Sequence, residues 1–102
     1  MPKIWIDADA IPRAIKEVLT KASQRRSVEL VFVANAPLGI RKTHLVQAIQ
    51  VAAGADVADD YIAENCQADA LVVTADIPLA ARVIEAGSVV LTPRGTVINK
   101  EN

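Results

Sequence analysis

Acids recur in this sequence where apolar runs stop. Residues 4–12 read IWIDADAIP and residues 71–80 read LVVTADIPLA, each a short β-branched run that meets an aspartate and turns into Ile-Pro. Asp7, Asp9 and Asp76 are the first candidates for chemistry, and Asp59-Asp60, in VADDYIAENC, form a further acidic group. Carboxylates held close together repel by about 4 kcal/mol per pair at an effective dielectric of about 20. A helix N-terminus returns only ~0.3–1 kcal/mol to each, so a gathering of these side chains calls for a cation. Hard oxygen ligands select Mg2+ or Mn2+, held by a few carboxylates together with water and substrate phosphate.

Plainer roles compete with that chemistry. Asp9 and Asp76 stand where helix N-caps belong, with Pro12 and Pro78 following in the first turn. Asp59-Asp60 also reads as a solvated helix start favoured by the helix dipole. Asp56 and Asp69 read as turn residues. Asp7 is different, because it ends a buried strand and is not the last residue before a helix. No other catalytic set is present: His44, the sole histidine, falls in a loop with no orienting partner to serve a Ser or Cys nucleophile, and one histidine with one cysteine, Cys66, is too few for a zinc site. The glycines at 39, 54, 87 and 95 form no phosphate-cradling loop.

The elements that must position these acids follow from periodicity. Residues 3–7, 28–34, 71–74 and 88–92 are apolar runs of strand type. Between the first two, Ile11, Ile15, Val18, Leu19 and Ala22 recur at helical spacing, with Arg13, Lys16, Glu17 and Lys21 opposite. Residues 57–66 and 77–87 predict helices, the second closed by Gly87, whereas 44–54 fits a strand or a short helix. Hydrophobic residues make up 52% of the chain and aromatic residues only 3%, so the core is built of Val, Ile, Leu and Ala, the filling of a helix-covered parallel sheet. The prediction is a three-layer α/β/α fold with a mainly parallel central sheet and right-handed crossovers. In such a sheet Asp7, Asp9 and Asp76 share the carboxyl rim, where ligands bind. Asp59-Asp60 joins them if 44–54 is a strand. The loop at 34–43 is a natural flap, and the tail TPRGTVINKEN reads as short, polar and frayed.

With 102 residues the chain fits one domain. No uncharged apolar run approaches the ~20 residues of a membrane span. Asp7 and Asp9 interrupt any secretion signal, which points to the cytoplasm, and a lone cysteine agrees with that. The net charge of −1 offers no general basic excess for nucleic acid. Local clusters, Arg25-Arg26 and Arg41-Lys42 before His44, would have to supply any contact, and by default they are solvated surface.

The blocks IWIDADAIP, VFVANAPL, QVAAGADVADDYI, LVVTADIPLAARVIEAG and LTPRG together resemble the uncharacterised bacterial YaiI/YqxD family, which is similar to PIN-domain nucleases. The resemblance spans residue 3 to about residue 98. It implies a PIN-like fold with a Mg2+- or Mn2+-binding acidic cluster that cleaves RNA, or sometimes DNA. Residue by residue, it implies catalysis by Asp7, Asp59 and Asp76, and metal ligation by the same three with Asp60. Secondary or substrate-binding roles fall on Asp9, Asn35, Arg41, Lys42, Thr74 and Arg94. The chain departs from the family pattern in carrying Ile11 where members usually have cysteine. Members also continue with further helical sequence, so this chain would lack part of the outer layer and leave an apolar face for a partner or a second copy.

Three functions compete on this reading. The first is metal-dependent phosphodiester hydrolysis, with single-stranded RNA as the expected substrate and partner. The second follows from D-A-D, which is similar to haloacid-dehalogenase-type phosphatases, with Asp7 as nucleophile and Asp9 as general acid. Against it, D-A-D-A lacks the usual Thr or Val after the second acid, and no lysine is suitably placed in the C-terminal half. The third is a non-catalytic module that binds RNA or protein through the same fold.

Overall fold

The computed structural model describes residues 3–54 and 56–101. Its elements are β1 (Lys3–Asp7), a 3-10 turn (Ala8–Ala10), α1 (Arg13–Arg26), β2 (Glu29–Ala34), β3 (Val46–Gln50), α2 (Val57–Asn65), β4 (Leu71–Val73), α3 (Ile77–Glu85), β5 (Val89–Leu91) and β6 (Val97–Ile98). The strands form a six-stranded sheet in the order β3-β2-β1-β4-β5-β6. All neighbours are parallel except β5 and β6. The expected three-layer α/β/α architecture with a mainly parallel sheet is therefore present.

Alternation of side chains along the strands builds two apolar layers. Trp5, Val31, Val33, Val72 and Val90 point to the side covered by α2 and α3, where Ile62, Leu79 and Val83 meet them. Ile6, Leu30, Phe32 and Val73 point to the other side, against Ile15 and Leu19 of α1. The crossovers through α1 and α3 run in opposite directions along the sheet. The shared right-handed rule for such connections sets their helices on opposite faces.

One open choice is decided and two features differ from expectation. The 44–54 segment, open between strand and short helix, contains an edge strand, β3, in which Val46 turns to the α1-side layer and Ile49 to the opposite one while Gln47 and Gln50 are exposed; residues three apart on opposite faces fit a strand, not a helix. β2 and β3 are parallel neighbours without a helix between them, and Leu38 and Ile40 of the connecting loop fill the α1-side layer instead. In α1 the inward face is centred on Ile15, Leu19 and Ser23, so Val18 is 61% exposed and Ala22 is exposed, while Lys16 and Thr20 are half-buried.

The tail is not frayed over 97–98, since β6 pairs with β5 through Val90 with Ile98 and Leu91 with Val97. Between them Thr92-Pro93-Arg94-Gly95 forms a turn, with the Gly95 N–H donating to the Thr92 carbonyl at 2.9 Å. Proline second and glycine fourth suit that turn, and Gly95 has the positive φ of +92° that favours glycine.

Candidate functional site

The strand order reverses direction between β1 and β4: from β1 the chain moves outward to β2 and β3, then returns to β4 and continues to β5 on the other side. Such a switch point opens a crevice at the carboxyl ends of the two strands. Asp7 ends β1, and Thr74 and Asp76 follow β4. The register aligns Ile6 with Val73, so Asp7 and Thr74 are the next residues of adjacent strands. Thr74 Oγ1 donates to Asp7 Oδ2 at 2.8 Å in a buried contact, and the same hydroxyl oxygen accepts from the Asp76 N–H at 2.9 Å.

Asp76 is also the N-cap of α3, its Oδ1 accepting from the Leu79 N–H at 2.9 Å with Pro78 in the first turn. The capping role expected from sequence is present there, and it coexists with a place in the crevice. Asp9 does not cap α1. That helix starts at Arg13 with Pro12 as its N-cap and no side-chain cap bond. Asp9 lies instead in the 3-10 turn, and its Oδ2 accepts from the Asn35 N–H at 2.8 Å, tying the end of β1 to the end of β2. Asn35 in turn donates from Nδ2 to the Ala52 carbonyl at 3.0 Å, joining the start of the flap to the segment after β3.

Asp59 comes from the first turn of α2. Because β3 is a strand of the same sheet, the segment after it delivers this helix start to the crevice, and Asp7, Asp9, Asp56, Asp59 and Asp76 line one cavity of about 210 Å3 with Asn35. Asp60 does not line it. Its carboxylate faces α3 and pairs with the Arg82 guanidinium at 2.7 Å, both side chains roughly half exposed, a contact of the kind worth about 0–1 kcal/mol. Adjacent helical residues point about 100° apart, so only one of Asp59 and Asp60 can face the crevice. From sequence Asp56 reads only as a turn residue, and its φ of +67° agrees. As the left-handed residue before α2 it lies outside the helix, so helical spacing from Asp59 carries no signal of its place in the cavity.

The electrostatics match the crowding. Burial raises the Asp7 pKa; the Thr74 hydrogen bond offsets part of that rise, and the charges of Asp76 and Asp9 add to it. The Asp59 carboxyl is pushed up to about 6, first by burial, then by the charges of Asp76, Asp7 and Asp56, with a hydrogen bond to Asp76 favouring its protonated form. No lysine or arginine lines this cavity. The donor set is entirely of hard oxygens, and a divalent cation would reverse the carboxylate repulsion. Among the described residues no three His, Cys, Asp or Glu side chains converge closely enough to hold an ion alone. An ion here would use one or two carboxylates and complete its shell with water and phosphate oxygens, as Mg2+ ordinarily does.

Other expected residues fall elsewhere. Arg41 lines a separate groove against α1, Lys42 is exposed in the flap, and Arg94 occupies the tip of the β5–β6 turn, also exposed.

The sequence matches the family described as "Uncharacterized BCR, YaiI/YqxD family" over residues 5–102. The chain belongs to the YaiI/YqxD family. Among its relatives, a UPF0178 protein of a Geobacter species is 58% identical over 98% of this chain and 65% of its own length. UPF0178 proteins of Citrifermentans bemidjiense and Saccharophagus degradans are 56% and 53% identical, again over 98% of this chain and over 65% and 66% of their own lengths. This YaiI/YqxD chain thus spans just under two thirds of the length of those curated relatives. No solved structure matches it significantly. Among the described residues, no helix is long and apolar enough to cross a membrane.

Proposed function

We propose that this YaiI/YqxD chain carries the acidic site of a PIN-like, Mg2+- or Mn2+-dependent nuclease that hydrolyses single-stranded RNA. The observation that supports the reading is the set of five carboxylates around one small cavity at the topological switch point, with no basic side chain in its lining. One or two of Asp7, Asp59 and Asp76 at a time would hold the ion, with water and phosphate oxygens completing its shell. When bound, the metal supplies an activated water and neutralises charge on the phosphate. Thr74 fixes the Asp7 carboxylate through Oδ2, so Oδ1 is the oxygen that would meet the ion. The α3 N-terminus fixes Asp76 through Oδ1. The Asn35 N–H holds Asp9 at the cavity edge, where it adds negative charge without being turned inward by a helix. Below pH about 6 Asp59 keeps its proton, so the site reaches full charge only above that value.

The test is Mn2+-dependent cleavage of a single-stranded RNA by the wild type, Asp7→Asn and Asp76→Asn, with circular dichroism to verify folding. Cleavage lost in both folded variants supports the reading, and full activity in both overturns it. Trapping of an aspartyl-phosphate on Asp7 would also overturn it in favour of the phosphatase chemistry, because a metal-activated water forms no covalent intermediate.

A second reading, a non-catalytic binding module, is favoured by one observation: no three ligating side chains converge among the described residues. Calorimetric titration of Mn2+ into the wild type and Asp76→Asn separates the two. Identical absence of heat in both selects the module.

A further inference from the structure

A second cavity, of about 480 Å3, runs between α1 and the flap that joins β2 to β3. Its walls carry four cations: Arg13, Lys16 and Lys21 from α1, and Arg41 from the flap, against one acid, Glu17. This concentration of positive charge stands out on a chain whose net charge is −1. Among the described residues none of the four cations is in an ion pair; the pair present is Arg82 with Asp60, on the opposite side of the sheet. Leu38 and Ile40 give the groove an apolar floor and fasten the flap to the core.

The groove and the acidic cavity share no lining residue, but short stretches of chain join them. Arg13 follows Ala10 by three residues and Pro37 follows Asn35 by two; Ala10 and Asn35 line the acidic cavity, Arg13 and Pro37 the groove. From Arg13 to Lys21 the helix rises ~12 Å, the length of about three to four phosphates at ~3.4 Å per nucleotide of a stacked strand. A mononucleotide would engage only one or two of the cations. No aromatic ring lines the groove, so bases cannot stack there and recognition must rest on phosphate charge.

We propose that the groove between α1 and the flap is the binding track for a single-stranded nucleic acid, held by Arg13, Lys16, Lys21 and Arg41 and directed toward the acidic cavity. The track deepens the nuclease reading by assigning the substrate path, and rests on that reading only for the direction of the strand. Binding itself requires no metal and no cleavage. It is insensitive to base sequence and steeply dependent on salt, with a log–log slope of about −2.8 for four neutralised phosphates.

The experiment is fluorescence anisotropy of a labelled twelve-residue oligouridylate with the full chain in EDTA, from 50 to 200 mM KCl. Two variants remove groove charge, Lys16→Glu/Lys21→Glu and Arg13→Gln/Arg41→Gln; the latter changes only exposed side chains and guards against a folding failure at the half-buried Lys16. Arg25→Glu/Arg26→Glu, at the far end of α1 and outside the groove, is the control. Expected are a loss of at least tenfold in affinity for each groove variant, a slope reduced by about 1.4 for the two lost cations, and a smaller loss for the control. No binding by the wild type, an equal loss in the control, or equally tight binding of polyglutamate of matched charge would each overturn the track. RNA cleavage without metal-free binding sinks the track alone, whereas metal-free binding with no cleavage at any Mn2+ concentration sinks the nuclease alone.

Discussion

The Thr74 hydroxyl links Asp7 to Asp76, donating to the Asp7 carboxylate at 2.8 Å and accepting from the Asp76 N–H at 2.9 Å. One hydroxyl proton and one lone pair thereby link an acid at the end of β1 to the acid that caps α3. Asp7 and Thr74 are both buried, so the hydrogen bond is made where water cannot replace it.

Thr74→Val removes that donor at nearly constant shape and leaves the Asp7 carboxylate short of a partner. Stability at pH 7 should fall by about 1.5–3 kcal/mol, the usual range for a hydrogen bond to a charged group. The loss should shrink at pH 4, where more of Asp7 is protonated, because the bond favours the ionised form. Urea unfolding followed by fluorescence of the buried Trp5 measures both, and an equal loss at the two pH values contradicts the account.

Asp59 makes stability depend on pH in the opposite sense to an ordinary salt-bridged acid. Its folded-state pKa of about 6 lies above the ordinary 3.8, so between these values the folded chain binds more protons than the unfolded chain. Stability is then greatest below pH ~4 and is lost as pH rises through about 6. Asp59→Asn should remove most of this limb, leaving the same-signed contribution of Asp7. Because Asp59 is only half-buried, the gain at pH 7.5 is discounted to about 1 kcal/mol. That corresponds to a melting temperature higher by ~4–8 °C.

A divalent cation should stabilise the wild type at pH 7.5. At ten times its dissociation constant Mn2+ adds about 1.4 kcal/mol, and the gain should diminish at pH 5, where the Asp59 proton competes with the ion. Thermal melts with and without Mn2+ at both pH values are sufficient. A stabilisation that persists in Asp7→Asn/Asp76→Asn would place the ion elsewhere.

Asp76 carries a cap and a proposed ligand in one side chain, and two substitutions separate them. Asparagine caps as well as aspartate, so Asp76→Asn should leave the melting temperature nearly unchanged, whereas Asp76→Ala should lose about 1 kcal/mol. Any Mn2+ binding that needs the carboxylate disappears in both. If Asp76→Asn destabilises as much as Asp76→Ala, the contact with the Leu79 N–H is not the capping interaction described above.

Local pattern in the sequence determined the strands at β1, β2, β4 and β5, the three helices, the capping by Asp76 and the turn character of Asp56 and Asp69, because each depends on side-chain period or on a few neighbouring backbone angles. The same reasoning made Asp9 a cap for α1. The tertiary structure gave it to the Asn35 N–H, since the chain enters a 3-10 turn after β1 and reaches α1 only at Arg13. Likewise β3 and β6 are too short and too mixed in character to declare themselves alone; pairing with β2 and β5 decides them. Which of Asp59 and Asp60 faces the crevice depends on the rotation of α2 about its axis, set by the burial of Ala58 and Ile62. The basic residues of α1 and the flap lie far apart in sequence and read there as solvated surface. They form a groove only because Leu38 and Ile40 dock beside Ile15 and Leu19. Periodicity could thus name the aspartates, but packing against distant strands was needed to decide which of them share a cavity and which cations share a groove.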